Sequence, residues 1–134
     1  MEDEWRIRNV LELYCRHLDD CDYEALLPLF APDAVFLTMG QELKGRAGIR
    51  AFFPETPEPL PPRPVSQHLL SNFVIEVDGE TATAETDWCL TRRSADGPTA
   101  IILAGRYRDR FARIDGTWMI AHRQAIALAR STEK

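Results

Sequence analysis

Three side chains in this sequence could together move a proton: Tyr14, Asp19 and His68. Histidine is the one side chain whose ordinary pKa puts its charge change near neutral pH, and a carboxylate fixing its far nitrogen makes it a better base. A phenol beside it can polarise a carbonyl or protonate a leaving oxygen. Such a trio needs no metal and no cofactor. Tyr14 and Asp19 belong to one segment, Tyr-Cys-Arg-His-Leu-Asp, whereas His68 lies far along the chain after a proline-rich stretch. Only a fold that returns the chain to its own first helix can bring the three together.

The elements that would do so are legible as periodicities. Ile7, Val10, Leu11, Tyr14, Cys15 and Leu18 recur at spacings of three and four, which predicts a helix over 5–18 with one apolar face. At about 100° per residue, Asp19 falls about 140° around from Tyr14, at the edge of that face. The cluster Asp19, Asp20, Asp22 either ends this helix and caps the next or holds a buried acid that needs a partner. Asp22 is the expected N-cap of a second helix starting at Tyr23, which Pro28 keeps short. Ala34 to Thr38 reads as a strand, Met39-Gly40 as a turn, Gln41 to Lys44 as a returning strand, and Gly45 to Phe53 as a third helix with Ile49, Phe52 and Phe53 inward.

Pro54 to Pro64 holds six prolines in eleven residues and predicts a stiff, extended loop, a pocket edge rather than a docking peptide. Four long strand-like segments follow, 65–77, 81–93, 99–113 and 117–129, separated by Asp78-Gly79, Asp96-Gly97 and Asp115-Gly116. Asp-Gly between strand patterns is a strong hairpin signal, so the expectation is an antiparallel meander. Helices first and sheet afterwards is an α+β layout. Long strands curl, and with helices on the concave side they make a cone-shaped barrel with N-terminal helices packed on a strongly curved, mostly antiparallel sheet. One domain over 1–134 is expected.

Composition narrows the function classes. The chain has 134 residues, 45% hydrophobic and 28% charged, ordinary for a globular domain with its own core. A net charge of −5 argues against nucleic acid as a partner. No apolar stretch approaches the ~20 residues of a membrane span. An acidic start running straight into helix predicts no signal peptide and a cytoplasmic protein. Arg106, Arg108 and Arg110 alternate on one strand face, read as solvated or at an interface. Cys15, Cys21 and Cys89 form no CxxC pair and are read as buried free thiols. His17-x-Asp19 is not an iron motif here, because side chains two apart on a helix diverge, so no metal site is expected.

Several motifs occur in a family's order: Tyr14-x-x-x-Leu18-Asp19-x-x-Asp22, Leu29-Phe30-Ala31-Pro32-Asp33-Ala34-Val35 and Gly45-x-x-Gly48-Ile49-x-x-Phe52-Phe53. Then come His68, Val77-Asp78-Gly79-x-x-Ala82, Gly105-x-Tyr107-x-Asp109-x-Phe111 and Asp115-Gly116-x-Trp118. This series resembles the SnoaL-like branch of the nuclear transport factor 2-like superfamily over nearly the whole chain. In that resemblance Tyr14, Asp19 and His68 fall on the tyrosine, aspartate and histidine of bile-acid 7α-dehydratase. Asp19 and His68 also fall on the catalytic pair of scytalone dehydratase and hexachlorocyclohexane dehydrochlorinase, and Arg123 on an arginine of the dehydrochlorinase pocket. Gly105 and Tyr107 replace a serine and an asparagine of scytalone dehydratase, and the further aspartate of the bile-acid enzyme aligns near Leu90, with no carboxylate at that point.

The resemblance implies a cofactor-independent lyase, of dehydratase or dehydrohalogenase type, acting on a small hydrophobic cyclic substrate. His68, Asp19 and Tyr14 would be catalytic, and Arg123, Trp88, Tyr107 and Phe111 substrate-binding. It also implies a homo-oligomer, a trimer rather than a dimer. The alternatives are an isomerase using the same base, a non-catalytic ligand-binding domain, or the small subunit of a ring-hydroxylating oxygenase. Residue by residue, the bland readings are a structural His68, a Tyr14 packed in the core, an Arg123 paired with an acid at the sheet surface, and Trp88, Tyr107 and Phe111 as core.

Overall fold

The apolar stripe of the first segment winds α1 over Glu2–Asp19 and buries Ile7, Val10, Leu11, Tyr14 and Cys15 in the computed structural model, which describes residues 1–55, 66–93 and 96–131. Three acidic residues in the first turn and Arg16 and His17 in the last suit the helix dipole. The chain turns at Cys21, in a left-handed conformation at φ 56°. Asp22 then caps α2 (Tyr23–Leu26), its carboxylate accepting from the Ala25 N–H at 3.2 Å. Pro28 tightens the continuation into a single 3₁₀ turn at Leu27–Leu29.

β1 (Phe30–Thr38) turns back through Met39-Gly40 into β2 (Gln41–Lys44), and α3 (Gly45–Phe52) buries Ile49. The expected proline-rich loop lies, from residue 56 onward, outside the described residues. β3 (Ser66–Asp78), β4 (Thr81–Arg93), β5 (Thr99–Ile114) and β6 (Thr117–Arg130) form the expected meander. The sheet order is β2-β1-β6-β5-β4-β3, with β1 running parallel to β6 and the other pairs antiparallel.

The three helices pack on one face of this curled sheet, α1 against β3 and α3 against β1. Ile7, Leu11, Leu26, Phe30, Ile49 and Ile120 are fully buried between the layers. Each such side chain contributes about 1.5–3 kcal/mol relative to exposure. Beyond the core, Arg113 reaches Asp3 at 2.9 Å and Glu80 at 2.9 Å, and the Trp118 indole donates to Asp3 at 3.0 Å, fastening the start of α1 to the sheet. On the other face Arg106 pairs with Asp87 at 2.7 Å and Arg108 with Glu85 at 3.1 Å, the solvated face that the alternation predicts.

Candidate functional site

Strand pairing decides which side chains share the concave face. His68 lies opposite Leu90 and Leu70 opposite Trp88, so both point inward, while Leu69 is exposed. Trp88 faces Gly105, and the Thr86 position faces Tyr107. Asp19 is the last residue of α1, and α1 packs along β3, so its carboxylate meets the start of that strand.

The meeting is close. Asp19 Oδ1 lies 2.7 Å from His68 Nδ1, and the His68 main-chain N–H donates to Asp19 Oδ2 at 3.0 Å and Oδ1 at 3.2 Å. A carboxylate only accepts, so this contact puts the neutral ring's proton on Nδ1 and leaves the Nε2 lone pair free. The two side chains are 15% and 10% exposed, which keeps the contact nearly dry yet within reach of a ligand.

His68 forms part of the wall of a cavity of about 570 Å³, within the range of small-molecule sites. Tyr14 and Leu18 of α1, Phe36 of β1, Phe52 and Phe53 at the end of α3, and Trp88, Leu90, Leu103 and Tyr107 of the sheet supply most of the rest. The wall is mainly apolar. Trp88 stacks on Tyr107 with ring centres 5.6 Å apart and stands 6.1 Å from the His68 ring. Tyr14 meets Tyr107 edge-on at 5.9 Å. Burial pushes the Tyr14 phenol up to about 12, the nearby Arg123 guanidinium opposing it only in part. Burial likewise raises Tyr107 well above its ordinary value. Both therefore remain proton donors at neutral pH.

Gly105 explains the flat aromatic wall. A Cβ built there would collide with the Ile126 carbonyl and stand 2.5 and 2.6 Å from two indole carbons of Trp88. The absence of a side chain at 105 is what lets the indole lie across β5.

Two of the expected substrate-binding residues do not reach the cavity. Arg123 is fully buried one rung deeper, opposite Asp109, which it grips with two hydrogen bonds at 2.8 and 3.0 Å. Its guanidinium is covered by the Tyr14 ring at 4.2 Å and the Tyr107 ring at 3.9 Å, so the phenols stand between it and the ligand space. Burial drives the Asp109 carboxyl upward. Against the lowering effect of burial, that carboxylate holds Arg123 above its ordinary value. Two parallel bonds from one guanidinium need a charged carboxylate, and the geometry therefore assigns an ion pair. Phe111, 1% exposed, lies deeper still, opposite Ala82 and Ile120, as core.

Cys15 is buried as expected, its thiol raised to about 12 by burial, but Cys21 and Cys89 are only half-buried. Among the described residues no three His, Cys, Asp or Glu side chains gather around a point that could hold a metal ion, and no helix is long and apolar enough to cross a membrane.

Sequence reasoning missed Arg130, which also lines the cavity. Simple alternation from Ala127 puts Ala129, not Arg130, on the inner face. A register shift between Ala104 and Gly105 sets Ala129 opposite Ala104 and Arg130 opposite Leu103, which reverses the parity. A lone strand carries no mark of that bulge.

The sequence profile of the SnoaL-like domain matches residues 1–124. No match is found among proteins of curated function. Among solved structures, a nuclear transport factor 2-like protein with a cystatin-like fold from Novosphingobium aromaticivorans is 27% identical, covering 98% of this chain and 85% of that one, with a TM-score of 0.80. A protein of unknown function from Mycobacterium tuberculosis is 26% identical over 95% of this chain and 75% of that one, with a TM-score of 0.78. A candidate scytalone dehydratase from N. aromaticivorans is 21% identical over 100% of this chain and 93% of that one, with a TM-score of 0.76, a likeness of fold alone.

Proposed function

We propose that this chain, which belongs to the SnoaL-like domain family, is a cofactor-independent lyase that eliminates water or halide from a small hydrophobic cyclic substrate. The observation that carries this reading is the 2.7 Å contact between Asp19 and His68 Nδ1 at the wall of an apolar cavity.

His68 Nε2 takes a proton from a carbon next to a carbonyl, and the electron pair of that C–H bond moves into an enolate. Asp19 keeps the ring in the required tautomer and stabilises the imidazolium, as the aspartate of a serine-protease triad does. Collapse of the enolate forms the C=C bond and expels the group on the next carbon. Tyr14 protonates a departing hydroxide to water, whereas a halide leaves as the anion. His68 then returns its proton to Tyr14 or to solvent, so the sum is loss of H₂O or HX. A positioned base contributes ~10²–10⁴-fold, and one donor to a developing oxyanion about 3 kcal/mol. That suffices for a proton already acidified by a carbonyl, which is why the substrate class is a β-substituted cyclic ketone.

The test is a panel of β-hydroxy and β-chloro cyclic ketones, with formation of the enone followed by its absorbance. Wild type should form the enone with a primary isotope effect when the α-carbon carries deuterium, and His68→Ala should not. A His68→Ala protein that turns over at the wild-type rate removes the proposal. Return of the proton to another carbon, without loss of the leaving group, would identify an isomerase instead.

A further inference from the structure

We infer that the substrate carries an anionic group, which Arg130 receives at the mouth of the cavity. The inference deepens the proposed lyase reading and rests on it for the role of His68. His68 is opposite Leu90, Leu90 opposite Leu103, and Leu103 opposite Arg130. One rung of four strands thus has the imidazole at one end and the guanidinium at the other, with two leucines between. Three strand spacings of about 4.8 Å separate them by roughly 14 Å along the sheet.

All four residues line the same cavity. Arg130 is fixed at the end of β6 by the following Ser131 N–H, which donates to the Ile102 carbonyl at 2.9 Å. Its guanidinium forms no ion pair among the described residues, whereas Arg6, Arg8, Arg50, Arg106, Arg108, Arg113 and Arg123 are each paired with a carboxylate. Charge points the same way. The protein has a net charge of −5, yet no carboxylate lines the cavity among the described residues. A low-dielectric pocket with a cation at its rim and no acid in its wall favours anions over neutral molecules. The ligand that fits is a rigid apolar ring system whose reacting carbon lies against His68 and whose far end bears a carboxylate or a phosphoryl group.

The test is calorimetric titration of biphenyl-4-carboxylate, biphenyl-4-phosphonate and the neutral biphenyl-4-carboxamide into wild type, Arg130→Met, Arg130→Lys and His68→Ala. Wild type should bind the better anion about fivefold tighter than the amide, the size expected of a rim ion pair. Whichever anion binds tighter identifies the group as carboxylate or phosphoryl. Arg130→Met should lose the preference with little change in amide affinity, and Arg130→Lys should keep part of it. His68→Ala should keep it in full, which separates this result from the failure or success of the proton-transfer reading. An equal affinity of wild type for anions and amide, a preference that survives in Arg130→Met, or no binding of any probe overturns the inference.

Discussion

The Asp19 carboxylate holds His68 twice, by the ring Nδ1 at 2.7 Å and by the main-chain N–H at 3.0 Å. The second bond ties the end of α1 to the first residues of β3 whatever side chain stands at 68. Removing the imidazole therefore leaves the acid with a partner, and chemistry separates from folding at this position.

His68→Ala should lower turnover by ~10²–10⁴ while costing about 1 kcal/mol of stability, the worth of one hydrogen bond. Asp19→Asn retains an oxygen for the main-chain N–H but presents an amide that donates to the ring, which favours the wrong tautomer. Its turnover should fall by a similar factor. Enone formation and urea unfolding measure the two effects, and an Asp19→Asn rate within threefold of wild type would contradict the assignment.

Gly105→Ala should disturb the site through Trp88. The new methyl meets the Ile126 carbonyl and two indole carbons, so the ring must swing away from Tyr107 or the strands must part. Overpacking of this kind costs typically about 1–3 kcal/mol. Near-ultraviolet circular dichroism should show the altered Trp88 environment, together with weaker binding of flat aromatic probes. An unchanged spectrum and unchanged affinity would show that the wall tolerates a side chain there.

Arg123→Met should destabilise the fold by about 3–5 kcal/mol, because it leaves the buried Asp109 without its ion partner. Arg123→Met combined with Asp109→Leu should recover most of that loss, since two apolar groups remove the uncompensated charge. Chemical denaturation of the single and double variants gives the comparison. A double variant no more stable than the single one would mean that the pair does more than neutralise itself.

Tyr14 sets a window of alkaline stability. Its phenol has an ordinary value near 10.0 in the unfolded chain and about 12 in the fold. A raised acid favours the protonated folded state, so its contribution is complete below pH 10.0 and is lost as the pH climbs through about 12. Tyr14→Phe should flatten that loss, and ultraviolet difference titration should show one fewer late-ionising tyrosine. A Tyr14 that titrates near 10.0, as in the unfolded chain, would contradict its burial.

Local order was legible in the chain alone. The three-and-four spacing of Ile7 to Leu18 made α1, Asp22 and Pro28 set the start and length of α2, and the Asp-Gly pairs at 78–79 and 115–116 turned the meander. Tyr14, Asp19 and His68 stood out by type, and the resemblance gave them one site. Depth across the sheet was not legible, because it depends on bulges. The shift between Arg110 and Phe111 places Trp118, Ile120 and Arg123 on one face, although they do not alternate in sequence. The next shift brings Arg130 inward. A strand's period of two reports faces only while pairing is regular, and each extra residue reverses every assignment beyond it. Where the chain inserts that residue is settled by the partner strand and by what must fit beneath it, here Trp88 over Gly105 and two phenols over a buried guanidinium. Those are contacts between distant residues, so only the folded molecule decided them.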